Sequence, residues 1–254
     1  MAAIITDQLR ILNCENFVAG VASTSNSYYS WLGLPNPADF QSDWDSNPPS
    51  PKDAFSEERD YWDTMIALKK INAADIARVV RKITWSSGTT YEMYRDDYSR
   101  TNISPQTSAT NLYDANYYVM NQDYRVYICL QNGTDPENTE GRPSLDEPLF
   151  TDLEPRSAGA SGDQYIWKYL FTINPNDLIK FDSTSFIPLP QDWATNNDVA
   201  SVRNNAATSG QLKVVTITSR GVGYGTAATY NNVPILGDGS GGKCSVVINA
   251  AGKI

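Results

Sequence analysis

The stretch Gly162-Asp163-Gln164-Tyr165-Ile166-Trp167-Lys168-Tyr169-Leu170-Phe171-Thr172-Ile173 constrains the fold more than any other part of the chain. Read with period two, Tyr165, Trp167, Tyr169, Phe171 and Ile173 share one face, while Gln164, Ile166, Lys168, Leu170 and Thr172 share the other. A helix would scatter those aromatic rings around its circumference. A strand gathers them on one side and leaves aliphatic groups on the other, as a mostly buried strand does. Gly162-Asp163 before it and Asn174-Pro175 after it supply turn chemistry at both ends. The stretch is the core of a sheet, not a catalytic motif.

Around it the chain reads as mainly β with a few short helices, in β-sandwich-like layers joined by long loops. Residues 6–21 suit a short helix, capped by Thr6 or Asp7, with a partly apolar stripe of Leu9, Leu12, Asn16 and Phe17. Residues 27–34, with Tyr28, Tyr29, Trp31 and Leu32, read as a strand stopped by Pro35-Asn36-Pro37. Residues 35–55 form a long polar loop carrying Trp44. Ser56 then caps a helical stretch with Glu57 and Glu58 in its first turn, followed by Tyr61, Trp62, Met65 and Ile66 at helical spacing. Residues 65–71 suit neither period cleanly, and Asn72 or Asp75 opens a short turn or helix. Residues 77–85 alternate like a strand, and residues 95–116 form a polar surface excursion. Tyr117-Tyr118-Val119-Met120 and residues 124–130 make a hairpin that turns at Asn121-Gln122-Asp123. Residues 131–161 form a second long loop, and a strand over 185–189 follows the aromatic one.

From residue 192 to 210 the composition shifts to Asn, Ala, Ser and Thr, which reads as a linker. Two domains follow: a β-rich one over 1–205 and a small Gly-rich β module over 206–254. The module has candidate strands at 212–218, 233–236 and 244–248, with glycine turns at 221–225 and 237–242. Ala250-Ala251-Gly252-Lys253-Ile254 reads as a turn opening another strand. The natural polypeptide is therefore expected to continue past Ile254, because the three strands alone make a marginal unit with an open edge.

The chain of 254 residues contains no histidine. This removes the commonest general base, the commonest metal ligand and every histidine-activated nucleophile. Cys14, Cys129 and Cys244 lie too far apart in sequence for a metal clip or redox pair, and read as free thiols. A net charge of −9 disfavours nucleic acid as a partner. No apolar run approaches the roughly 18 residues of a membrane helix, so neither nucleic acid nor membrane is expected among the partners.

Motifs that resemble known chemistry fail on inspection. Gly237-x-x-x-x-Gly242-Lys243-Cys244 matches a phosphate loop up to its last residue, where cysteine replaces the magnesium-binding hydroxyl. The β-branched Ser245-Val246-Val247-Ile248 follows it, where a helix should begin. Gly221-Val222-Gly223-Tyr224-Gly225 lacks the third glycine of a dinucleotide fingerprint. Asp43-Trp44-Asp45-Ser46-Asn47 begins like a calcium loop, but Pro48 stands where glycine must turn the chain. Neither Glu57-Glu58 nor Asp96-Asp97 can converge on one bond, because adjacent side chains diverge on strand and helix alike. Asn132-Gly133-Thr134 and Asn102-Ile103-Ser104 match glycosylation acceptors without any sign of secretion. No catalytic, cofactor-binding or metal-ligating residue is assigned, and no cofactor is expected.

Four features occur in order along the chain. The first is the N-terminal helix followed by Tyr28-Tyr29-Ser30-Trp31-Leu32-Gly33 and a proline-rich loop. The second is Arg81-Lys82-Ile83-Thr84-Trp85 leading to Gly88-Thr89-Thr90-Tyr91-Glu92-Met93-Tyr94. The third is Tyr118-Val119 with Tyr124-Arg125-Val126-Tyr127-Ile128-Cys129-Leu130. The fourth is the aromatic strand from Gly162 to Phe171. Over residues 6–193 this ordered set resembles the baseplate wedge protein 8 family of contractile-tailed (T-even-type) phages. The resemblance implies a β-rich, elongated, two-domain subunit, a homodimer, contacts with other wedge proteins including the long scaffold subunit, and no enzyme activity. It implies a place in the virion, in the tail baseplate, after assembly in the host cytoplasm. Past residue 193 the sequence departs from the family and carries the Gly-rich module instead.

The expected function is that of a structural component of a contractile tail baseplate wedge, a dimeric scaffold that positions its neighbours. The alternative is a carbohydrate-binding tail or adhesin module, in which some of the tyrosines and tryptophans stack on sugars. A glycosidase built on carboxylates alone is the third reading.

Overall fold

A chain that buries many tyrosines must find hydrogen-bond partners for their hydroxyls, and this requirement shapes the whole fold. The computed structural model describes residues 7–33, 46, 62–95, 113–135, 138–190, 197–206, 212–217 and 219–254. It is mainly β, with short helices and several small sheets. The chain divides into two compact units, Met1–Ala77 and Arg78–Ile254. The composition break near residue 205 lies inside the second unit.

In the second unit, β3 (Val79–Arg81), β4 (Thr89–Thr90), β5 (Tyr118–Met120), β6 (Arg125–Asn132), β7 (Pro143–Ser144) and β8 (Tyr165–Thr172) precede helix α2 (Pro175–Phe181) and β9 (Phe186–Pro188). Helix α3 (Asn197–Ala206) and the hairpin of β10 (Ala228–Pro234) and β11 (Lys243–Ile248) complete it. β6 is the middle of a three-stranded antiparallel sheet, with β5 on one side and β8 on the other. The expected hairpin of β5 and β6 is present, turning through Tyr124 at φ 58°. β3 pairs with β9 and β4 with β7, both antiparallel.

The aromatic stretch folds as the period-two reading requires. Tyr165, Trp167, Tyr169, Phe171 and Ile173 are all buried, and Trp167 has 0% of its surface exposed. β8 stands at the side of its sheet, not in the middle. Its outer edge is covered by a bridge to Arg156, whose N–H donates to the Trp167 carbonyl at 3.0 Å while the Trp167 N–H donates back at 2.9 Å. The far edge of β5 is covered in the same way, by a parallel bridge between Met120 and Thr84. Single bridges thus blunt edges that would otherwise expose unpaired backbone.

The register between β6 and β8 shifts between Val126 and Tyr127, and the apolar core divides there. Beyond the shift Tyr127 and Cys129 face Tyr169 and Trp167, together with Tyr91, Val119 and Tyr165. On the other side Val126 faces Phe171, with Met120, Ile173 and Ile187. In the first cluster the Tyr165 and Trp167 rings stack 5.3 Å apart, and Tyr91 meets Trp167 edge-on at 5.8 Å.

The hydroxyls of these rings reach the loops. The Tyr165 hydroxyl donates to the Arg142 carbonyl at 2.6 Å and accepts the Tyr91 N–H at 2.9 Å. The Tyr127 hydroxyl donates to the Phe150 carbonyl at 2.7 Å. The Tyr91 hydroxyl accepts the Ser86 N–H at 2.7 Å. Asp163 acts the same way from the turn before β8, taking the Leu145 N–H on one oxygen at 2.9 Å and the Tyr165 N–H on the other at 3.0 Å. Asn132, fully buried, donates to the Tyr91 carbonyl at 2.9 Å and accepts the Thr134 N–H at 3.2 Å. Gly141, at φ 89°, lies so close that an added Cβ would fall 2.4 Å from the Asn132 amide nitrogen. The loop expected over 131–161 begins only after β6 ends at Asn132 and carries β7, and its described residues are pinned by side chains from the sheet.

Several expectations are corrected. The proposed linker over 192–210 contains α3, whose Val199 and Val202 are spaced three apart and buried in the two clusters. Its Asn- and Ala-rich composition hid two inward valines. Asn174-Pro175 does not merely turn. The Asn174 side chain accepts the Asn176 N–H at 2.9 Å and Pro175 opens α2, a cap followed by proline at the first helical position. The strand expected over 77–85 is laddered only at Val79–Arg81. Residues 212–217 belong to no ladder, so the C-terminal hairpin has two strands rather than three. The calcium-like run at 43–47, apart from Ser46, lies outside the described residues, as do Ser56, the acidic pairs Glu57-Glu58 and Asp96-Asp97, Asn102 and Trp193.

Trp167→Ala is expected to cost roughly 3–5 kcal/mol, from lost burial and the cavity left behind. Trp167→Phe should cost clearly less, because it keeps a ring and removes an indole N–H that has no hydrogen-bond partner among the described residues. Thermal melts of both variants check this, and wild-type melting by the alanine variant would refute the core assignment. A second expectation concerns alkali. Burial, the largest cause, pushes the Tyr127 hydroxyl from its ordinary 10.0 up to about 12. The folded state then holds a proton that the unfolded state releases, so this contribution is complete below pH 10 and is lost as pH rises toward 12. The denaturation midpoint should fall more steeply over that window in the wild type than in Tyr127→Phe.

Candidate interaction surface

The first unit contains helix α1 (Asp7–Ala22) and two antiparallel strands, β1 (Tyr28–Gly33) and β2 (Met65–Ile71), followed by a 3-10 turn at Ala73–Asp75. The helix and β1 match the sequence reading closely. β2 resolves the stretch that suited neither period, and Met65 and Ile66 leave the helical spacing to begin it. Of the two residues that could open the short turn, Asn72 is the cap, and with Asp75 it forms a capping box: the Asn72 side chain accepts the Ala74 N–H, and Asp75 accepts the Asn72 N–H. Asp75 also pairs with Lys69 at 2.6 Å, a solvated contact of little energetic weight.

Pairing fixes the two faces of the hairpin. Tyr28 pairs with Ile71, Tyr29 with Lys70, Trp31 with Leu68 and Leu32 with Ala67. The face bearing Tyr28 meets α1, where the Phe17 and Tyr28 rings lie edge to face at 6.0 Å. Gly20 makes that approach possible, since a Cβ there would sit 2.8 Å from the Tyr28 hydroxyl. The opposite face carries Tyr29, Trp31, Ile66 and Leu68, exposed by 53%, 43%, 64% and 52%. The Trp31 ring lies over Gly33, where a Cβ would come within 2.3 Å of it.

Among the described residues of this unit Val21 is the only buried apolar side chain. Leu9, Ile11, Leu12 and Phe17 of α1 are exposed as well. An isolated two-stranded hairpin is marginal in water, and a contiguous apolar face of this kind is a candidate interaction surface. Sequence reading found Trp31 on a strand and the apolar stripe of the helix, but not that both stay exposed. Alternation of Ile66 and Leu68 against Ala67 and Lys69 is the signal that places them beside Trp31.

The motifs weighed in the sequence do not assemble a site. β11 follows Gly237–Gly242 directly, so no helix N-terminus faces that loop. Gly221, Gly223 and Gly225 have φ of 61°, 80° and 92°, the geometry of a glycine turn. Cys129 is buried and its thiol is pushed well above its usual range by burial, Cys14 is exposed, and all three cysteines are free. Among the described residues no group of His, Cys, Asp or Glu could hold a metal ion, and no helix is long and apolar enough to cross a membrane. No protein-family model matches the sequence, and no curated protein matches it.

Trp31→Ser with Leu68→Ser should lower binding of a hydrophobic fluorescent dye while leaving the melting of the β5–β6–β8 sheet within about 0.5 kcal/mol of wild type. A large loss of stability would show that these side chains serve a core instead.

Proposed function

We propose that the chain is a structural subunit of a contractile phage tail baseplate wedge, acting as a homodimeric scaffold that positions neighbouring wedge proteins. The observation that carries this reading is the open apolar face of Tyr29, Trp31, Ile66 and Leu68 in a unit that buries little of its own. Such a unit is completed by assembly, through contacts with partner proteins. The four ordered segments that resemble the wedge protein 8 family support it from the sequence side, since each contributes to a strand ladder or a core cluster. The role is mechanical rather than catalytic: a rigid sheet with buried aromatics transmits displacement, and exposed apolar faces hold the neighbours. The carbohydrate-binding alternative draws no support from the β8 aromatics, because Tyr165, Trp167 and Tyr169 are buried.

Electron cryo-microscopy of the assembled particle tests the reading directly, with density for this chain expected in the baseplate wedge. In solution the purified chain should sediment as a dimer, equally in oxidising and reducing buffer. Location elsewhere in the particle, or specific binding in a glycan screen, would overturn the assignment.

A further inference from the structure

We propose that residues 212–254 form a charge-latched arm, seated on the body of the second unit by Lys213 and Arg220 and released when those ion pairs are screened. Neither apolar cluster of the unit includes a described residue of this segment. Ile248 is its one buried apolar side chain among the described residues, while Leu212, Val215, Val222, Tyr224, Leu236 and Val247 are exposed. Two ion pairs join it to the body. Arg220 donates to Asp135 at 3.0 Å, and Lys213 to Glu154 at 2.5 Å.

Both carboxylates belong to the body, and both have a second donor that stays behind. Asp135, only 8% exposed, also takes Arg142 at 3.0 Å and the Asn138 N–H at 2.9 Å. Glu154 also takes the Asn205 side-chain amide at 2.7 Å. Departure of Arg220 therefore leaves no bare buried charge at Asp135, the penalty that makes most buried pairs hard to open. Lys168 keeps partners of its own in the body, the Leu153 carbonyl at 2.7 Å and the Asn205 side chain at 2.9 Å. The arm meanwhile is tied to itself. β10 pairs with β11, the Tyr224 N–H donates to the Gly252 carbonyl, and the Ile254 N–H donates to the Arg220 carbonyl, both at 3.1 Å. From Arg220 onward it can move as one piece without breaking these backbone bonds.

The test is a distance measurement by electron spin resonance on the full chain. Spin labels go on Asp238→Cys in the arm and Gln122→Cys in the body. Cys14 and Cys244 are replaced by serine, Cys129 is shielded in the core, and labelled protein is diluted with unlabelled so that only intramolecular pairs count. A single narrow distance is expected at about 20 mM salt, and its loss into a broad distribution at about 1 M, where the screening length falls to about 3 Å. Lys213→Gln with Arg220→Gln should be broad at both salts with unchanged melting of the body, since both substitutions lie in the arm. A narrow distance that survives salt and the double substitution would overturn the latch. A broad distance already present at low salt in the unsubstituted chain would overturn it equally.

Discussion

The bond between a buried tyrosine hydroxyl and the backbone of a loop is the interaction on which the rest of this structure depends. Tyr165 joins β8, the Arg142 carbonyl and the Tyr91 N–H in one point. Its ring supplies apolar burial and its oxygen supplies a partner for backbone that has no ladder of its own. Tyr127 and Tyr91 repeat the arrangement toward Phe150 and Ser86. A fold with short strands and long connections would otherwise leave many loop amides unsatisfied beneath its surface. Here the sheet reaches up to satisfy them, so burial and loop order are one cooperative event rather than two.

Much of this was legible in the sequence, for identifiable reasons. Strict alternation of large aromatics from Tyr165 to Ile173 has no helical solution, so the strand, its buried face and the fate of Trp167 followed directly. The short turn opening at Asn72 was legible because its chemistry is local, although the joint action of Asn72 and Asp75 was not read. What escaped was set by distant partners. Met65 to Ile71 became a strand because Trp31 and its neighbours pair with it, an arrangement no local period records. α3 escaped because Val199 and Val202 are too few to lift an Asn-rich segment above the look of a linker, and the sheet that buries them lies elsewhere in the sequence. Residues 212–217 show the converse: β-branched residues express no strand where no neighbour accepts their backbone bonds. The candidate surface was visible as residues but not as a surface, since exposure depends on what fails to cover a side chain.

The two units, each taken alone, rest on different physics. The sheet of the second unit is dry and aromatic, with ring contacts under 6 Å and its edges closed by single bridges. The hairpin of the first unit has two strands, one face toward α1 and one face open. The segment that leads into the C-terminal hairpin places Lys213 on the exposed Glu154 and Arg220 on the buried Asp135. Hydrophobic burial of the first kind is insensitive to salt, whereas ion pairs of the last kind weaken as salt rises. Within the second unit, therefore, the aromatic sheet and the segment bearing Lys213 and Arg220 respond differently to salt.

Asn132 carries a consequence for how the protein has to be made. Its side-chain nitrogen sits at zero exposure, bonded to the Tyr91 carbonyl, with Gly141 pressed against it. That same nitrogen is the atom an oligosaccharide would occupy in the sequence Asn132-Gly133-Thr134. Sugar transfer acts on chains as they emerge, before β6 and the loop beyond it have closed. A chain glycosylated there could not bring β6 against β8, so this fold and that modification exclude each other. Passage of the nascent chain through a glycosylating secretory route would trap it unfolded, whatever its stability once folded.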